Sequence, residues 1–155
     1  MLVNVLAGGW HARVSNQMSV TLQEQSEALS LISHYAKSLD AGDVFGVLNC
    51  FADDVSLSYD DGRIGVTGRA DAETFLRGAL GCPSTHLFSN YGFERLGAAL
   101  VVTCSAIAAV CRKEGLVTLR GLVYIFTCNG SESGLRIQKL QHSLKWQCDA
   151  PGGVP

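Results

Sequence analysis

The chain has 155 residues, of which 47% are apolar and 17% charged, and its formal net charge is −2. That length bounds one domain with a core of ordinary size, and the apolar share excludes an intrinsically disordered chain. The near-neutral balance offers no basic field for a phosphate backbone, so nucleic acid is not an expected partner, and no apolar run reaches the roughly 18 residues of a membrane-crossing helix.

Residues 1–20 show no periodicity and read as a tail or arm. Gly8-Gly9 interrupts their mildly apolar start, which has no basic leader region. Helical spacing begins near Leu22, with Leu29, Ile32, Tyr35, Ala36 and Leu39 on one stripe. Asp40-Ala-Gly-Asp43 breaks it: Gly42 is a stop signal and Asp43 an N-cap. A second helix is predicted over 44–51 with Phe45, Leu48 and Phe51 buried, ended by Asp53-Asp54. Val55, Leu57 and Tyr59 alternate with serines, which predicts a strand with one buried face. Asp60-Asp61-Gly62 is a turn, a short strand near 64–67 pairs back, and a third helix covers 69–80 with Ala72, Phe75, Leu76 and Ala79 inward. Gly81-Cys82-Pro83 stops it.

Four long strands follow, over 85–96, 98–112, 116–128 and 135–146. The turns between them are expected at Leu96-Gly97, Lys113-Glu114-Gly115 and Asn129-Gly130-Ser131, of which Asn129-Gly130 is a strong hairpin signal. Helices followed by a strand meander define an α+β domain: a cone-shaped α+β barrel, three helices packed on a curved, mostly antiparallel sheet. The domain is bounded at 21–148, with 149–155 as a C-terminal tail. The strands over 98–112 and 116–128 are apolar on both faces, so their outer face calls for a cover and a homodimer is expected.

The six cysteines form no CxxC, and most sit in apolar runs (LNCFA, VTCSA, YIFTC). They read as reduced core thiols of a cytoplasmic protein rather than a disulfide framework. The four histidines are scattered without ligand spacing, so no metal site is expected. No GxGxxG, P-loop or GxSxG motif is present, so no cofactor is expected.

Four segments carry a family resemblance: HYAKSLDAGDVFGVLNCFADDVSLSYDDG, GVTGRADAETFLRGAL, STHLFSN and LQHSLKW. Together they resemble the NTF2-like superfamily, and within it the SnoaL-like and scytalone dehydratase-like enzymes. The resemblance spans about residues 22–146. It implies a cavity between helices and sheet, with Asp40 at the end of the first helix, Tyr59 at the end of the first strand and His86 after the third helix in the positions of the dehydratase's acid, tyrosine and histidine. Two positions depart: the strand over 98–112 carries no second histidine, and Leu39 precedes Asp40 where the dehydratase has a tyrosine. Tyr35 matches the oxyanion-hole tyrosine of ketosteroid isomerase, whose two acids fall near Tyr59 and Tyr124 here. The strands hold no Arg-x-Asp of the limonene epoxide hydrolase kind.

The catalytic candidates are therefore His86, Asp40 and Tyr59. An imidazole can give or take a proton near neutrality, a paired carboxylate can fix its tautomer, and a phenol can polarise a carbonyl. Period two places Phe88 and Asn90 on the face of His86, and Tyr35, Tyr124 and His142 complete the candidate substrate-binding set. The expected function is acid–base chemistry (dehydration, isomerisation or cyclisation) on a small hydrophobic, oxygenated substrate such as a polyketide or terpenoid intermediate. The alternative is a non-catalytic binding or dimerisation module of the same fold. Convergence of titratable groups on one cavity separates the two.

Overall fold

A computed structural model describes residues 19–112 and 115–151. The expected N-terminal arm lies outside them, apart from Ser19 and Val20, as do Lys113-Glu114 and the last four residues. In chain order the elements are α1 (Leu22–Asp40), α2 (Val44–Asn49), β1 (Phe51–Tyr59), β2 (Ile64–Thr67), α3 (Arg69–Ala79), β3 (Ser84–Leu96), β4 (Ala99–Cys111), β5 (Leu116–Ser131) and β6 (Gly134–Pro151). They build the expected α+β architecture: helices on the inner face of one curved six-stranded sheet, which stays open, in the order β2-β1-β6-β5-β4-β3. Only β1 and β6 run parallel.

Helix α1 starts with a capping box. The Thr21 hydroxyl accepts from Glu24 N–H while the Glu24 carboxylate accepts from Thr21 N–H, so two otherwise orphaned amides are satisfied. The same Glu24 pairs with Arg95 and ties the helix to β3. The buried stripe of α1 is Ala28, Ile32, Tyr35, Ser38 and Leu39; Leu29, expected on it, lies at its exposed edge. The helix ends in a tight turn. Gly42 takes φ +65°, a conformation costly for a residue with a Cβ, and Asp43 caps α2 by accepting from Gly46 N–H at 2.9 Å. A Cβ on Gly46 would stand 2.3 Å from the Asp43 carboxylate and 2.4 Å from the Ser38 hydroxyl. Only glycine lets α2 start this close to α1, and this turn is what aims Asp40.

Four expectations about elements change. Helix α2 ends at Asn49 and β1 begins at Phe51, so Asp53-Asp54 lies within a strand rather than ending a helix. The β1–β6 register shifts between Phe51 and Ser56, and both acids stand exposed on that irregular stretch. Phe45, expected inside, is 62% exposed with the Arg77 guanidinium over its ring; Val47 and Leu48 take the buried positions. The β5–β6 hairpin turns at Glu132-Ser133, not at Asn129-Gly130, which pair with Arg136 and Leu135. Gly134, with φ +104°, supplies the left-handed conformation there, and the Ser131 hydroxyl closes the turn by donating to the Gly134 carbonyl at 2.6 Å. Strand β6 runs on through Pro151, pairing with the start of β5, so the first residues of the expected C-terminal tail are sheet.

The core fills the space between α1, α2, α3 and the inner sheet face, around Tyr35, Phe51, Phe126, Ile32, Leu57 and Leu140. Burying each large apolar side chain contributes about 1.5–3 kcal/mol. Strand pairing arranges side chains in rows across the sheet. One row on the inner face is His86–Ala108–Arg120–Gln147. The adjacent row, on the outer face, is Leu87–Ile107–Gly121–Trp146. Between these two rows the sheet divides its polar site from an apolar exterior.

Candidate active site

Between the helices and the inner sheet face lies a cavity of about 370 Å³, within the range of small-molecule sites. His86, Tyr35, Tyr59, Tyr124 and His142 line it, as do apolar groups from α1 and α3 such as Leu39, Phe75 and Leu76.

Asp40, the last residue of α1, reaches the start of β3. Its Oδ2 accepts from the His86 backbone N–H at 3.0 Å and its Oδ1 lies 2.7 Å from His86 Nδ1. The two side chains are 27% and 12% exposed. A carboxylate only accepts, so Nδ1 carries a proton, and in the neutral imidazole Nε2 keeps its lone pair. Holding the backbone and the ring of the same residue fixes the carboxylate in two directions. The ring also lies near-parallel to Phe88, with centroids 6.3 Å apart.

His142 shows the opposite pattern. Asp60 and Asp61 both adopt positive φ (54° and 56°), a region that aspartate visits more readily than most residues. Their amides thereby turn toward β6: Asp60 N–H donates to His142 Nδ1 at 3.4 Å and Asp61 N–H to the His142 carbonyl at 3.3 Å. With Nδ1 accepting, the neutral ring carries its proton on Nε2. Burial lowers the pKa of His142, and the charge of Arg120 adds to the effect, so the ring is held neutral. The cavity thus has one histidine with a free lone pair and one with a free N–H.

Three tyrosines form the inner wall. Tyr59 stacks on Phe75 (centroids 5.0 Å) and tilts against His142 (5.3 Å). Tyr124 meets His142 edge-on at 5.0 Å and Phe88 at 4.9 Å. Burial pushes Tyr59 up to about 12, a rise partly offset by a hydrogen bond from Tyr35. Burial pushes Tyr35 and Tyr124 well above the usual tyrosine range. All three remain hydrogen-bond donors at neutral pH.

Of the predicted residues, His86 and Asp40 meet directly, and Tyr59, Tyr35, Tyr124 and His142 share the cavity. Phe88 does not line it. It packs behind, half-buried among His86, Tyr124 and Phe126. Asn90 falls away from the group: β3 carries a bulge between Ser89 and Gly92, where Asn90 takes φ +53° and stands exposed. The bulge breaks the alternation that put Asn90 on the face of His86. Residues not anticipated are Arg112, Arg120, Gln147, Asp60 and Cys82, which line the cavity. Arg120 had a legible signal: it shares strand parity with Leu122, Tyr124 and Phe126, one charge on an otherwise inward face.

Among the described residues no His, Cys, Asp and Glu side chains gather into a metal-binding group, and no helix is long and apolar enough to cross a membrane.

The curved sheet, the helices across its inner face and the cavity between them define an NTF2-like cone fold. Residues 20–141 match the SnoaL-like domain family, and the chain belongs to it. Three solved structures illustrate the likeness. A Novosphingobium aromaticivorans protein named for an aromatic ring hydroxylase superposes with a TM-score of 0.79 at 17% identity, covering 85% of this chain and 96% of its own. A second protein of that organism, named for scytalone dehydratase, gives 0.75 at 16%, covering 86% and 91%. A type 2 hexachlorocyclohexane dehydrochlorinase gives 0.75 at 15%, covering 86% and 92%. At these identities the likeness establishes the fold. No curated protein matches the chain by sequence.

Proposed function

We propose that this SnoaL-like domain is an acid–base enzyme that draws its proton chemistry from its own side chains. Its substrate is a hydrophobic, oxygenated small molecule such as a polyketide or terpenoid intermediate, and the step is a dehydration, isomerisation or cyclisation. The observation that carries this reading is the clamped pair of Asp40 and His86 on a half-apolar cavity. His86 Nε2 takes a proton from carbon beside a carbonyl, and Asp40 stabilises the imidazolium that forms. Tyr59, kept protonated by burial, donates to the oxygen on which charge develops, and Tyr35 donates in turn to Tyr59. His142, with its proton on Nε2, is a further donor on the same wall. Similar folds are named for a dehydratase and a dehydrochlorinase, which accords with elimination after proton abstraction.

The test needs no knowledge of the natural substrate. Enolisable bicyclic ketones, tetralones first, are incubated in D2O and followed by NMR for deuterium uptake beside the carbonyl. The wild type accelerates uptake, and His86→Gln loses about 10²–10⁴-fold while keeping its melting temperature. Equal rates for the two proteins reject the mechanism.

The same reading includes a homodimer through the outer sheet face. Leu87, Ile107 and Trp146 are 64%, 50% and 48% exposed in one continuous row. The Trp146 indole lies flat over Gly121, where a Cβ would stand 2.0 Å from its Nε1. An apolar row of this kind suits burial against a second copy.

A further inference from the structure

The acid–base reading leaves one end of the cavity unused. Arg120 stands in the same inner row as His86, with only the small Ala108 between them. Two strand spacings separate the backbones, about 10 Å, so one small molecule spans both groups. Arg120 Nε donates to Gln147 Oε1 at 3.0 Å. Beside it Arg112, just past β4, donates from Nε to the Thr118 hydroxyl at 3.2 Å, and that buried hydroxyl donates to Asp149 at 2.7 Å. Each guanidinium is thus oriented through its Nε by a neutral oxygen. Among the described residues no hydrogen bond engages the outer Nη edge of either, and no carboxylate lies within ion-pair distance of them, whereas Arg63, Arg77 and Arg95 each pair with an acid.

Both arginines line the cavity. Arg120 is half-buried, and its charge is felt at Tyr124 on the same strand and at His142 on the neighbouring β6. A guanidinium drawn partly out of water and left without a counter-ion is costly unless a ligand supplies one. Its planar fork is shaped for a carboxylate. The surrounding charge narrows the choice. Asp60 also lines the cavity and Asp149 sits behind Thr118, so the field suits a single negative charge better than a phosphate dianion.

We propose that the substrate is a hydrophobic carboxylate. Its carboxylate group docks on the Arg120 fork, with Arg112 as the outer contact, and its apolar body extends along the row toward His86. The proposal rests on the acid–base reading for what happens at the far end, and the anion site is tested by binding alone.

The probe pair is naphthoate and its uncharged counterpart naphthalenemethanol, titrated calorimetrically into the wild type, Arg120→Gln, Arg120→Lys and Arg112→Gln. Naphthoate binds the wild type more tightly than the alcohol does. Arg120→Gln weakens naphthoate about 10–100-fold, as expected for loss of a charge-assisted fork, and leaves the alcohol unchanged. Arg120→Lys, which keeps the charge and loses the fork, falls between, and Arg112→Gln weakens naphthoate less. Unchanged alcohol binding also shows that the variants are folded. Equal binding of both probes by the wild type, binding of neither, or an equal loss of both on Arg120→Gln overturns the proposal. Naphthoate binding that follows Arg120, together with no ketone exchange by the wild type, keeps the anion site and removes the enzyme reading. The reverse pattern removes the anion site alone.

Discussion

Replacing Asp40 with asparagine changes one atom of the site and should relocate one proton. In the wild type both carboxylate oxygens accept from His86, Oδ2 from the backbone N–H at 3.0 Å and Oδ1 from Nδ1 at 2.7 Å. A hydrogen bond to a charged group contributes about 1.5–3 kcal/mol, which is roughly a 10- to 100-fold preference for the proton on Nδ1. An asparagine has one accepting oxygen. If it serves the backbone N–H, its NH2 faces Nδ1, which must then accept, and the ring proton moves to Nε2. The flipped amide would leave the part-buried His86 N–H facing another donor, at a cost of about 1–3 kcal/mol, so the first arrangement wins. His86 would then offer a donor where the proposed reaction needs a base, and ketone exchange should fall about 10²–10⁴-fold. The fold should lose only about 1 kcal/mol, because a charged hydrogen bond is exchanged for a neutral one. Two-bond proton–nitrogen NMR of ring-labelled histidine reads the tautomer directly, without a substrate. A wild-type His86 that carries its proton on Nε2, or an Asp40→Asn protein that keeps it on Nδ1, would refute the reasoning.

Three further outcomes follow from the structure. His142 has a lowered native pKa, chiefly through burial, whereas in the unfolded chain it takes a proton near 6.5. Its contribution to stability is therefore complete above about 6.5 and is lost as the pH falls through the lowered native value. The wild type should lose more melting temperature between neutral and mildly acid buffer than His142→Gln, and parallel curves would contradict this. Burial raises the thiols of Cys50, Cys104 and Cys128 to about 11, 12 and 12. Iodoacetamide should modify the exposed Cys111 and Cys148 in the native protein, the half-buried Cys82 more slowly, and the buried three only after denaturation. Peptide mass spectrometry that finds native Cys104 labelled would contradict this order. Ile107→Glu, at the centre of the outer row, should shift sedimentation at micromolar concentration from dimer to monomer; a wild type that is already monomeric would defeat the dimer proposal.

Elements governed by local patterning were the most legible in the sequence. The apolar stripe of α1 and the alternation of β1 follow from period and burial alone, and Gly42 and Asp43 mark the α1–α2 turn correctly. What was hidden depends on partners distant in sequence. Asp53-Asp54 reads as a helix end because its place opposite an irregular stretch of β6 is a pairing fact. Asn129-Gly130 has hairpin chemistry, but the β5–β6 register carries the strands past it to Glu132-Ser133. Asn90 obeys period two only until the bulge in β3 intervenes. The meeting of Asp40 with His86, 46 positions apart, came from family resemblance, since spacing gives no hint of it. Arg120 was readable by parity, yet a lone arginine in a strand is usually a solvated group, and only the register that aligns it with His86 shows which face it serves.

The two neighbouring rows have a consequence for how such a domain can vary. His86, Ala108, Arg120 and Gln147 alternate residue by residue with Leu87, Ile107, Gly121 and Trp146, so the cavity face and the apolar outer face share strands but no side chains. A point substitution can retune one face without editing the other. An insertion or deletion within β5 cannot: shifting the chain by one position would exchange the faces, turning Arg120 toward the exterior and Gly121 into the cavity. The lining of the cavity and the apolar exterior are therefore separable by substitution and locked together against changes in length.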